Sequence, residues 1–247
     1  MDKSTPWVLV TGGTRGIGKG IVQVLAASGY RALFTYRSSS QEAELIEADA
    51  ASKGQLARGY RCDGADPDSV QALVERLVAE HGAPAALVNN AGITADTLLV
   101  NMPLASWDAV IDANLKSVYL FSKAILPSMM EAREGVILNM SSITAIKGNV
   151  GQTNYGATKA GMIGMSRSLA LEVGRFNIRV NCLLPGLVDT EMIAAIPDKE
   201  RAQIRKSIPL KRLCGVDELG RVVRFLISED ASYLTGQTIS LDGGLTA

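Results

Sequence analysis

Short apolar runs alternate with longer segments of helical periodicity along the whole chain. Such runs are typical of strands buried on both faces, and the helical segments between them supply the covering layers. The alternation predicts an α/β fold, a doubly wound parallel sheet (Rossmann-like) with helices on both faces. The predicted strands are Trp7–Thr11, Ala32–Tyr36, Ala57–Cys62, Ala86–Asn89, Gly135–Met140, Ile178–Leu184 and Thr238–Leu241, and the predicted helices are Gly16–Ser28, Gln41–Lys53, Pro67–His81, Trp107–Met129, Asn154–Arg175 and Asp217–Ser228.

Length and composition place this sheet in one domain. The 247 residues suffice for a large core, and we expect a single domain over residues 1–247. A formal net charge of zero argues against a nucleic-acid partner. Three widely spaced cysteines and a single histidine argue against a metal site and indicate a reducing compartment. Without a signal-peptide pattern or a membrane-length apolar run, a cytoplasmic protein is expected.

A glycine-rich turn joins the first strand to the first helix. Glycines at this point allow a tight turn and a close approach of the backbone to a phosphate, while the helix N-terminus supplies free N–H donors. The spacing Gly-x-x-x-Gly-x-Gly differs from the more familiar Gly-x-Gly-x-x-Gly, and its position between strand and helix is what favours a dinucleotide site. The turn contributes Gly12, Thr14, Arg15, Gly16, Ile17 and Gly18.

The end of the second strand indicates which dinucleotide is bound. An NAD site usually has a carboxylate about 20 residues after the glycine turn, to hold a ribose hydroxyl. Here the strand ends in Tyr36-Arg37-Ser38 without an acid. Arg37 and Arg15 can instead contact a 2′-phosphate, which favours NADP(H). The alternative is two solvated arginines.

The third and fourth strands also end in residues that suit a nucleotide. Asp63 can accept a hydrogen bond from an adenine amino group, although a turn or helix-capping role is the alternative and Asp66 could equally be the cap. After the fourth strand, Asn90, Ala91 and Gly92 leave room for a nucleotide. A plain turn is the alternative interpretation there.

Tyr155 and Lys159 are four residues apart, with Ser142 upstream. Residues four apart in a helix share a face. Tyrosine has an ordinary pKa of roughly 10, and an adjacent ammonium would lower it. The pair therefore suits a proton donor, with Ser142 holding a substrate oxygen, as ketone reduction or alcohol oxidation requires. A solvated lysine beside a core tyrosine is the alternative.

In their order along the chain these motifs resemble the short-chain dehydrogenase/reductase family. The matching stretches are TGGTRGIG, CDG, NNAG, DANLKS, NMSSI, NYGATKAG and Pro185-Gly186 with Thr190. The resemblance implies a catalytic tetrad of Asn114, Ser142, Tyr155 and Lys159. Ser142 could instead share a strand-end cap with Ser141, and Asn114 could be a helix residue bonded to backbone. The resemblance also implies contacts to the cofactor from Gly64, Tyr155, Lys159, Pro185, Gly186, Val188 and Thr190.

Within the family, the chain is most similar to β-ketoacyl-[acyl-carrier-protein] reductases. NNAGITADTLL, WDAVIDANLKSV, GNVGQTNYGATKAG and YLTGQTISLDGG carry this likeness, while Gly64, Gly156 and Thr158 depart from the usual pattern. The likeness implies NADPH-dependent reduction of a β-ketoacyl thioester on acyl-carrier protein. A reductase of acetoacetyl-CoA or another small ketone, and a catalytically silent NADP-binding protein, are the alternatives.

The substrate is expected to meet a lid near residues 187–212. Met192, Ile193, Ile196 and Ile204 would give this segment an apolar inner face that suits an acyl chain. Simple amphipathic packing is the alternative. Because carrier proteins are acidic, a basic docking surface is expected. Arg133 matches a carrier-contacting position of the subgroup, whereas Arg175 lies one residue from where a second arginine is expected.

The predicted helix Asn154–Arg175 carries more apolar surface than one sheet face needs. It contains Gly156, Gly161 and Gly164, which permit close helix approach, together with several large apolar residues. An isologous helix-on-helix interface would bury the excess. With the family resemblance, this predicts a homotetramer.

Overall fold

A computed structural model describes residues 5–194 and 197–247 of the chain. Its seven strands form one sheet in which every neighbouring pair is parallel. They are β1 (Trp7–Val10), β2 (Arg31–Tyr36), β3 (Ala57–Arg61), β4 (Ala86–Asn89), β5 (Gly135–Met140), β6 (Ile178–Pro185) and β7 (Thr238–Leu241). Their order across the sheet is β3-β2-β1-β4-β5-β6-β7, so the winding reverses between β1 and β4. Ligands of such sheets bind beyond the carboxyl ends of the strands at this reversal.

Helices cover both faces of the sheet, as predicted. They are α1 (Gly16–Ala27), α2 (Ser40–Ser52), α3 (Pro67–His81), α4 (Leu104–Ile111), α5 (Ser117–Ala132), α6 (Thr144–Lys147), α7 (Thr153–Val173), α8 (Glu191–Ala194), α9 (Asp198–Ser207) and α10 (Val216–Ile227). The strands alternate their side chains between two apolar cores. One core packs α1 and α10 against the sheet, and the other packs α3, α5 and the end of α7.

The predicted helix Trp107–Met129 differs from the helices observed there. The helical stretch begins at Leu104 and consists of α4, a π-helical turn at Asp112–Lys116, and α5. The sequence pattern does not reveal the π-helical turn, because the turn spans only five residues within one long helical stretch. Turns of this kind are frequent at functional sites, and this one contains Asn114.

The predicted lid contains α8 and α9. Ile196 lies outside the described residues, and so does the side chain of Met192. Ile193 and Ile204 are each partly buried. Among the described helices, none is long and apolar enough to cross a membrane.

Candidate active site

The glycine turn after β1 has a shape that larger residues could not adopt. Gly12 and Gly16 have positive φ angles of 68° and 51°, a region that disfavours residues with a Cβ. A Cβ on Gly12 would lie 3.0 Å from the Ala91 Cα, and one on Gly18 would lie 2.1 Å from the Gly12 carbonyl oxygen. These glycines therefore let the turn, the N-terminus of α1 and the loop after β4 approach closely.

The loop after β4 holds the glycine turn in place. The Thr11 hydroxyl accepts hydrogen bonds from the backbone N–H groups of Asn90 and Ala91, both at 3.0 Å. The Asn90 side-chain amide donates to the carbonyls of Thr11 at 3.0 Å and Gly12 at 3.1 Å. Asn90 is thus committed to shaping the turn. The loop after β4 is therefore more than a plain turn, since four hydrogen bonds join it to the glycine turn.

The remaining residues of the glycine turn have different surroundings. Thr14 is buried, and the Ile17 side chain packs against the core beneath α1. The Ile17 side chain therefore faces the core. Thr190 lies close to the turn, because a Cβ on Gly16 would be 3.7 Å from its methyl group. The segment after β6 thus returns to the glycine turn.

Three arginines surround the ends of β2 and β3. Arg15, Arg37 and Arg61 are exposed, and the Arg61 Nε donates to the Arg37 carbonyl at 3.3 Å. Among the described residues, none of the three has an ion pair with a carboxylate. Arg61 was missed by the sequence analysis. The register of β2 with β3, which pairs Tyr36 with Arg61, is what brings it here.

The two aspartates after β3 have separate roles. Asp66 caps α3 by accepting from the N–H groups of Asp68 and Ser69. Asp63 is exposed, and its Oδ1 accepts from the Ala65 N–H at 3.0 Å. Since Asp66 is the helix cap, the capping alternative for Asp63 is not needed, although Asp63 does make a local turn.

The end of β6 is packed tightly against the C-terminal segment. A Cβ on Gly186 would lie 2.7 Å from the Asp242 Cα. Val188 is buried and forms an isolated bridge with Cys214. Pro185 is the last residue of β6. This packing fixes the path of the chain from β6 towards Thr190.

Tyr155, Ser142 and Lys159 meet where β5 ends and α7 begins. Ser142 lies close enough to Tyr155 for its hydroxyl to lower the pKa of the phenol, and the Lys159 Nζ lies 5.5 Å from the centroid of the Tyr155 ring. Lys159 is only 3% exposed, and its Nζ donates to the Met140 carbonyl at 2.7 Å. Ser141 does not compete with Ser142, because its hydroxyl donates to the Lys159 carbonyl at 2.7 Å.

The protonation of the pair differs from the sequence-based expectation. Burial raises the pKa of Tyr155, the negative charge of Asp96 raises it further, and the Ser142 hydrogen bond opposes both. Burial lowers the pKa of Lys159 to about 8. The expected lowering of the Tyr155 pKa by Lys159 is therefore wrong for this structure, because burial raises the pKa and the ammonium, which donates to the Met140 carbonyl, does not counteract it.

Asn114 is fully buried in the π-helical turn. Its Oδ1 accepts from the Ile93 N–H at 2.8 Å, and its Nδ2 donates to the Ile93 carbonyl at 2.9 Å and to the Thr158 hydroxyl at 3.3 Å. The side chain thus bonds to backbone, as one alternative held, but to a distant loop rather than to its own helix. It ties the turn to Gly92, whose Cβ would lie 3.2 Å from Oδ1.

Comparison with known proteins gives the family. The family described as enoyl-(acyl carrier protein) reductase matches residues 12–246. A 3-oxoacyl-[acyl-carrier-protein] reductase FabG from Staphylococcus aureus (strain Mu50) is 41% identical over 243 residues, 98% of this chain and 99% of that protein. The FabG of Escherichia coli (strain K12) is 42% identical over 237 residues, 96% of each chain. The chain belongs to the short-chain dehydrogenase/reductase family.

Membership of this family implies a nicotinamide cofactor. In this short-chain reductase the predicted site residues form two groups beyond the carboxyl ends of the strands. The glycine turn and the loop after β4 form the first, and Ser142, Tyr155 and Lys159 form the second. Within residues 5–194 and 197–247, no three His, Cys, Asp or Glu side chains are grouped so that they could hold a metal ion.

Further polar residues of this reductase, missed by the sequence analysis, join Ser142. Its hydroxyl donates to the Thr144 hydroxyl at 3.2 Å. The Thr144 hydroxyl in turn donates to the Gln152 side-chain oxygen, and the Gln152 side-chain nitrogen donates to the Asp96 carboxylate. The sequence gives little signal for these contacts, since they connect three separate loops.

The basic residues predicted to meet a carrier protein lie at the other end of the strands from Tyr155. Arg133 follows α5 and precedes β5, while Arg175 follows α7 and precedes β6. Both are exposed, and the Arg133 guanidinium donates to the Arg175 carbonyl at 3.0 Å. The structure therefore brings the two arginines together, at the amino ends of the strands and away from Tyr155.

Part of the predicted lid lines a cavity of about 390 Å³ beside α10. Ile208 is buried against this region, and Leu187 and Leu210 also line it. The segment after α9 is therefore anchored by its own packing, which agrees with the amphipathic alternative for that part of the lid. The other cavity walls include Cys214, Val222, Phe225 and Leu241.

Proposed function

We propose that the protein reduces a β-ketoacyl thioester, carried on acyl-carrier protein, to the β-hydroxyacyl thioester with NADPH. The observation that carries the proposal is the placement of the Ser142 and Tyr155 hydroxyls beside the buried Lys159 ammonium, at the same end of the sheet as the glycine turn. The names of the FabG relatives support the substrate class, because identity of 41% and 42% extends over nearly the whole chain.

The two hydroxyls are placed to stabilise an oxygen that gains negative charge. When bound, the nicotinamide supplies the hydride that attacks the carbonyl carbon. Ser142 and Tyr155 then serve as fixed donors towards the developing oxyanion, and Tyr155 transfers its proton to that oxygen. The raised pKa of Tyr155 keeps the phenol protonated for this step. Proton transfer by a positioned side chain contributes about 10²- to 10⁴-fold to the rate.

Lys159 and Asn114 support this proton donor. With a pKa of about 8, Lys159 is mostly an ammonium at neutral pH, so it can donate to ribose hydroxyls of the cofactor as the resemblance implies. Asn114 holds the π-helical turn against the loop after β4. We propose that this bonding keeps open the route through which a water returns a proton to Tyr155.

The preference for NADP(H) is proposed from charge at the end of β2. Arg15 and Arg37 are exposed and have no carboxylate partner among the described residues. A phosphate bound between them would gain charge-assisted hydrogen bonds. Asp63, at the end of β3, keeps its carboxylate at the surface for the adenine amino group.

We propose that Arg133 and Arg175 serve the active site of a second copy of the chain. The 21 residues of α7 span about 31 Å, so these arginines are far from the Tyr155 of their own copy. A two-fold axis perpendicular to α7 would pair the helix with itself antiparallel. That pairing brings the arginines of one copy to the catalytic end of its partner.

The surface of α7 supports such pairing, which gives a dimer, and the proposed homotetramer adds a second two-fold interface. Leu171 is 88% exposed on this helix, and a Cβ on Gly164 would meet open space. On the neighbouring α5, Tyr119 is also exposed. Large exposed apolar side chains beside small residues are what a close helix-on-helix interface would bury.

The same proposal includes a substrate lid and a location for the protein. Ile193 and Ile204 are partly buried on α8 and α9, which leaves them available to an acyl chain in a lid near residues 187–212 of the single 1–247 domain. Cys62, Cys182 and Cys214 are free thiols. Free thiols suit a reducing compartment, and we propose the cytoplasm.

A substrate panel tests the proposed function. NADPH absorbance would be followed with the same β-ketoacyl group on acyl-carrier protein and on coenzyme A, with a small free ketone, and with a trans-2-enoyl thioester. The enoyl substrate is included because the matched family is described as an enoyl reductase. NADH and the Tyr155→Phe variant are the controls. Fast turnover of the β-ketoacyl carrier substrate with NADPH is expected.

Other outcomes of the panel would replace the proposal. Turnover of the coenzyme A form alone would give an acetoacetyl-CoA type of reductase, and turnover of the free ketone alone would give a small-ketone reductase. Oxidation of NADPH by the enoyl substrate alone would move the reduction from C=O to C=C. No turnover with any substrate would leave a catalytically silent dinucleotide-binding protein.

Carrier docking has a separate test in Arg133→Glu. Exposed charge contacts are worth about 0.2–1 kcal/mol, so KM for the carrier-bound substrate should rise by a few fold. KM for a small uncharged β-keto ester analogue should stay unchanged, because that substrate presents no acidic surface to the arginine. Arg224→Glu, on the exposed side of α10, is the matched control. Equal changes for both substrates would contradict a docking role.

A further inference from the structure

A chain of hydrogen bonds leads from Ser142 out of the active site to a surface carboxylate. The Ser142 hydroxyl donates to Thr144 Oγ1 at 3.2 Å, and Thr144 Oγ1 donates to Gln152 Oε1 at 3.4 Å. Gln152 Nε2 donates to Asp96 Oδ2 at 2.8 Å. The Thr144 N–H also donates back to Ser142 Oγ at 3.1 Å. The chain connects the loop after β4, the turn after β5 and the start of α7.

The carboxylate at its end gives this chain a direction. An ionised carboxylate only accepts hydrogen bonds, so the NH₂ group of Gln152 turns towards Asp96 and its oxygen turns towards Thr144. Thr144 then donates to Gln152 and accepts from Ser142. The charge on Asp96 thus orients the Gln152 amide, and Gln152 orients the Thr144 hydroxyl. As a result the Ser142 hydroxyl hydrogen points towards Thr144.

Backbone bonds hold the two loops of the chain together. The Thr97 N–H donates to the Gly151 carbonyl at 2.9 Å, and the Asn154 side chain donates to the Ala95 carbonyl at 3.2 Å. These two hydrogen bonds lie on either side of the Asp96–Gln152 contact. The contact is therefore held in place by the hydrogen bonds between the two loops.

The same carboxylate acts on Tyr155. Burial contributes most to the raised pKa of Tyr155, the Ser142 hydrogen bond opposes it, and the charge of Asp96 adds to it. The other charged group facing the ring is the Lys159 ammonium, 5.5 Å from the ring centroid. Asp96 is thus linked to one hydroxyl by hydrogen bonds and to the other by its charge.

We propose that Thr144, Gln152 and Asp96 are positioning residues that orient Ser142 and place a fixed negative charge near the proton donor Tyr155. The inference rests on the proposed function for its kinetic consequence. Ser142 has a single hydroxyl hydrogen, so it donates either to Thr144 or to the substrate oxygen. The Thr144 N–H keeps the Ser142 oxygen in place while that hydrogen turns towards the substrate.

The first test needs no substrate. Asp96→Asn keeps an oxygen acceptor for Gln152 and removes only the charge. Tyrosinate absorbance would be recorded against pH, and subtraction of the same protein carrying Tyr155→Phe isolates Tyr155. The pKa of Tyr155 should fall, because a charge that raises it is gone. Asp230→Asn, another exposed carboxylate, should leave the titration unchanged.

The lower pKa of Tyr155 in Asp96→Asn should also change the pH dependence of reduction. Tyr155 must be protonated to reduce, so activity is lost as pH rises through its pKa. The high-pH limb of kcat should therefore move to lower pH in Asp96→Asn. A titration and a limb that both match the wild type would overturn the proposal. Absence of turnover in the wild type would overturn only the proposed function, and the titration would still decide the role of Asp96.

The second test breaks the chain at Thr144. Thr144→Val removes the hydroxyl while keeping the shape, and Thr144→Ser restores the hydroxyl. In the valine variant the Ser142 hydrogen no longer has Thr144 as an acceptor, while the backbone N–H still holds the Ser142 oxygen. Since a net hydrogen bond is worth about 0.5–1.5 kcal/mol, kcat should rise about two- to thirteenfold in Thr144→Val and return to the wild-type value in Thr144→Ser. The Kd for NADPH should be unchanged in both. An unchanged kcat in Thr144→Val, or a change that Thr144→Ser does not reverse, would overturn the positioning role.

Discussion

The two ends of the proposed site are held in different ways. At the cofactor end, glycines leave room that no side chain could share, and a Cβ on Gly18 would lie 2.1 Å from a backbone oxygen. At the catalytic end, side chains from separate loops hold one another through hydrogen bonds, such as Lys159 to the Met140 carbonyl at 2.7 Å. The cofactor end is thus defined by shape and the catalytic end by polar contacts.

This difference predicts how each end responds to mutation. A change at the cofactor end should alter the binding of the dinucleotide and leave the chemical step nearly intact. A change at the catalytic end should alter turnover and leave dinucleotide binding nearly intact. Lys159 lies between the two ends. Its Nζ is 5.5 Å from the centroid of the Tyr155 ring, and a Cβ on Gly92 would be 3.7 Å from the same atom.

Tyr155→Phe should have the largest effect. The variant keeps the ring and loses only the proton donor, so turnover should fall by about 10²- to 10⁴-fold. The Kd for NADPH, measured by fluorescence titration, should stay within about twofold, since a hydroxyl contributes little where shape decides binding. Near-normal turnover would contradict the assignment of Tyr155 as the acid. A large loss of NADPH affinity would contradict the separation of the two ends.

Lys159→Met should reveal the energetic cost of the buried ammonium. The folded pKa is about 8 against an ordinary 10.5, so between these values the unfolded chain binds more protons and wild-type stability rises with pH. The free energy of unfolding of wild type minus variant should increase from pH 8 to pH 10 by about 2 kcal/mol. Urea unfolding at several pH values measures it.

The exposed Lys53 provides the control for that titration. Its ammonium is at the surface beside Asp49, and Lys53→Met makes the same chemical change at an exposed position. A flat difference for Lys159→Met would mean that Lys159 is not held at a lowered pKa. Loss of turnover in Lys159→Met is expected in either case and does not decide the point.

The sequence predicted those parts of the molecule that depend on local pattern. The parallel sheet follows from alternating apolar runs, and the glycine turn from its place between β1 and α1. The grouping of Tyr155 with Lys159 follows from helical spacing. Family resemblance supplied Asn114 and Ser142, whose positions depend on contacts between distant segments.

The parts that were missed depend on tertiary contacts or on burial. Arg61 reaches Arg37 only through the register of β2 and β3. The Asp96–Gln152 contact joins residues 56 positions apart. The direction of the Tyr155 pKa shift was wrong because a sequence shows a neighbouring lysine but not the burial that outweighs it.

Gly18→Ala should disrupt the cofactor end with the protein still folded. The new Cβ would meet the Gly12 carbonyl oxygen and the Asn90 amide, at 2.1 and 2.6 Å, so the glycine turn must shift. Overpacking of this kind costs about 1–3 kcal/mol, and the Kd for NADPH should rise about 5- to 150-fold. Turnover at saturating NADPH should fall much less. Gly174→Ala, where a Cβ meets open space, is the control, and equal affinities in both variants would refute the steric role of Gly18.

Arg37→Gln should have the most selective effect. Loss of one charge-assisted contact to a phosphate is worth about 1.5 kcal/mol when exposed, which corresponds to about a tenfold higher KM for NADPH. The KM for NADH should hardly change, because NADH lacks the 2′-phosphate. Arg61→Gln, on the next strand, provides the comparison that locates the phosphate: a larger loss there would assign it to the β3 side. If neither variant separates NADPH from NADH, the cofactor end distinguishes dinucleotides by shape alone, and its charges are only a solvated surface.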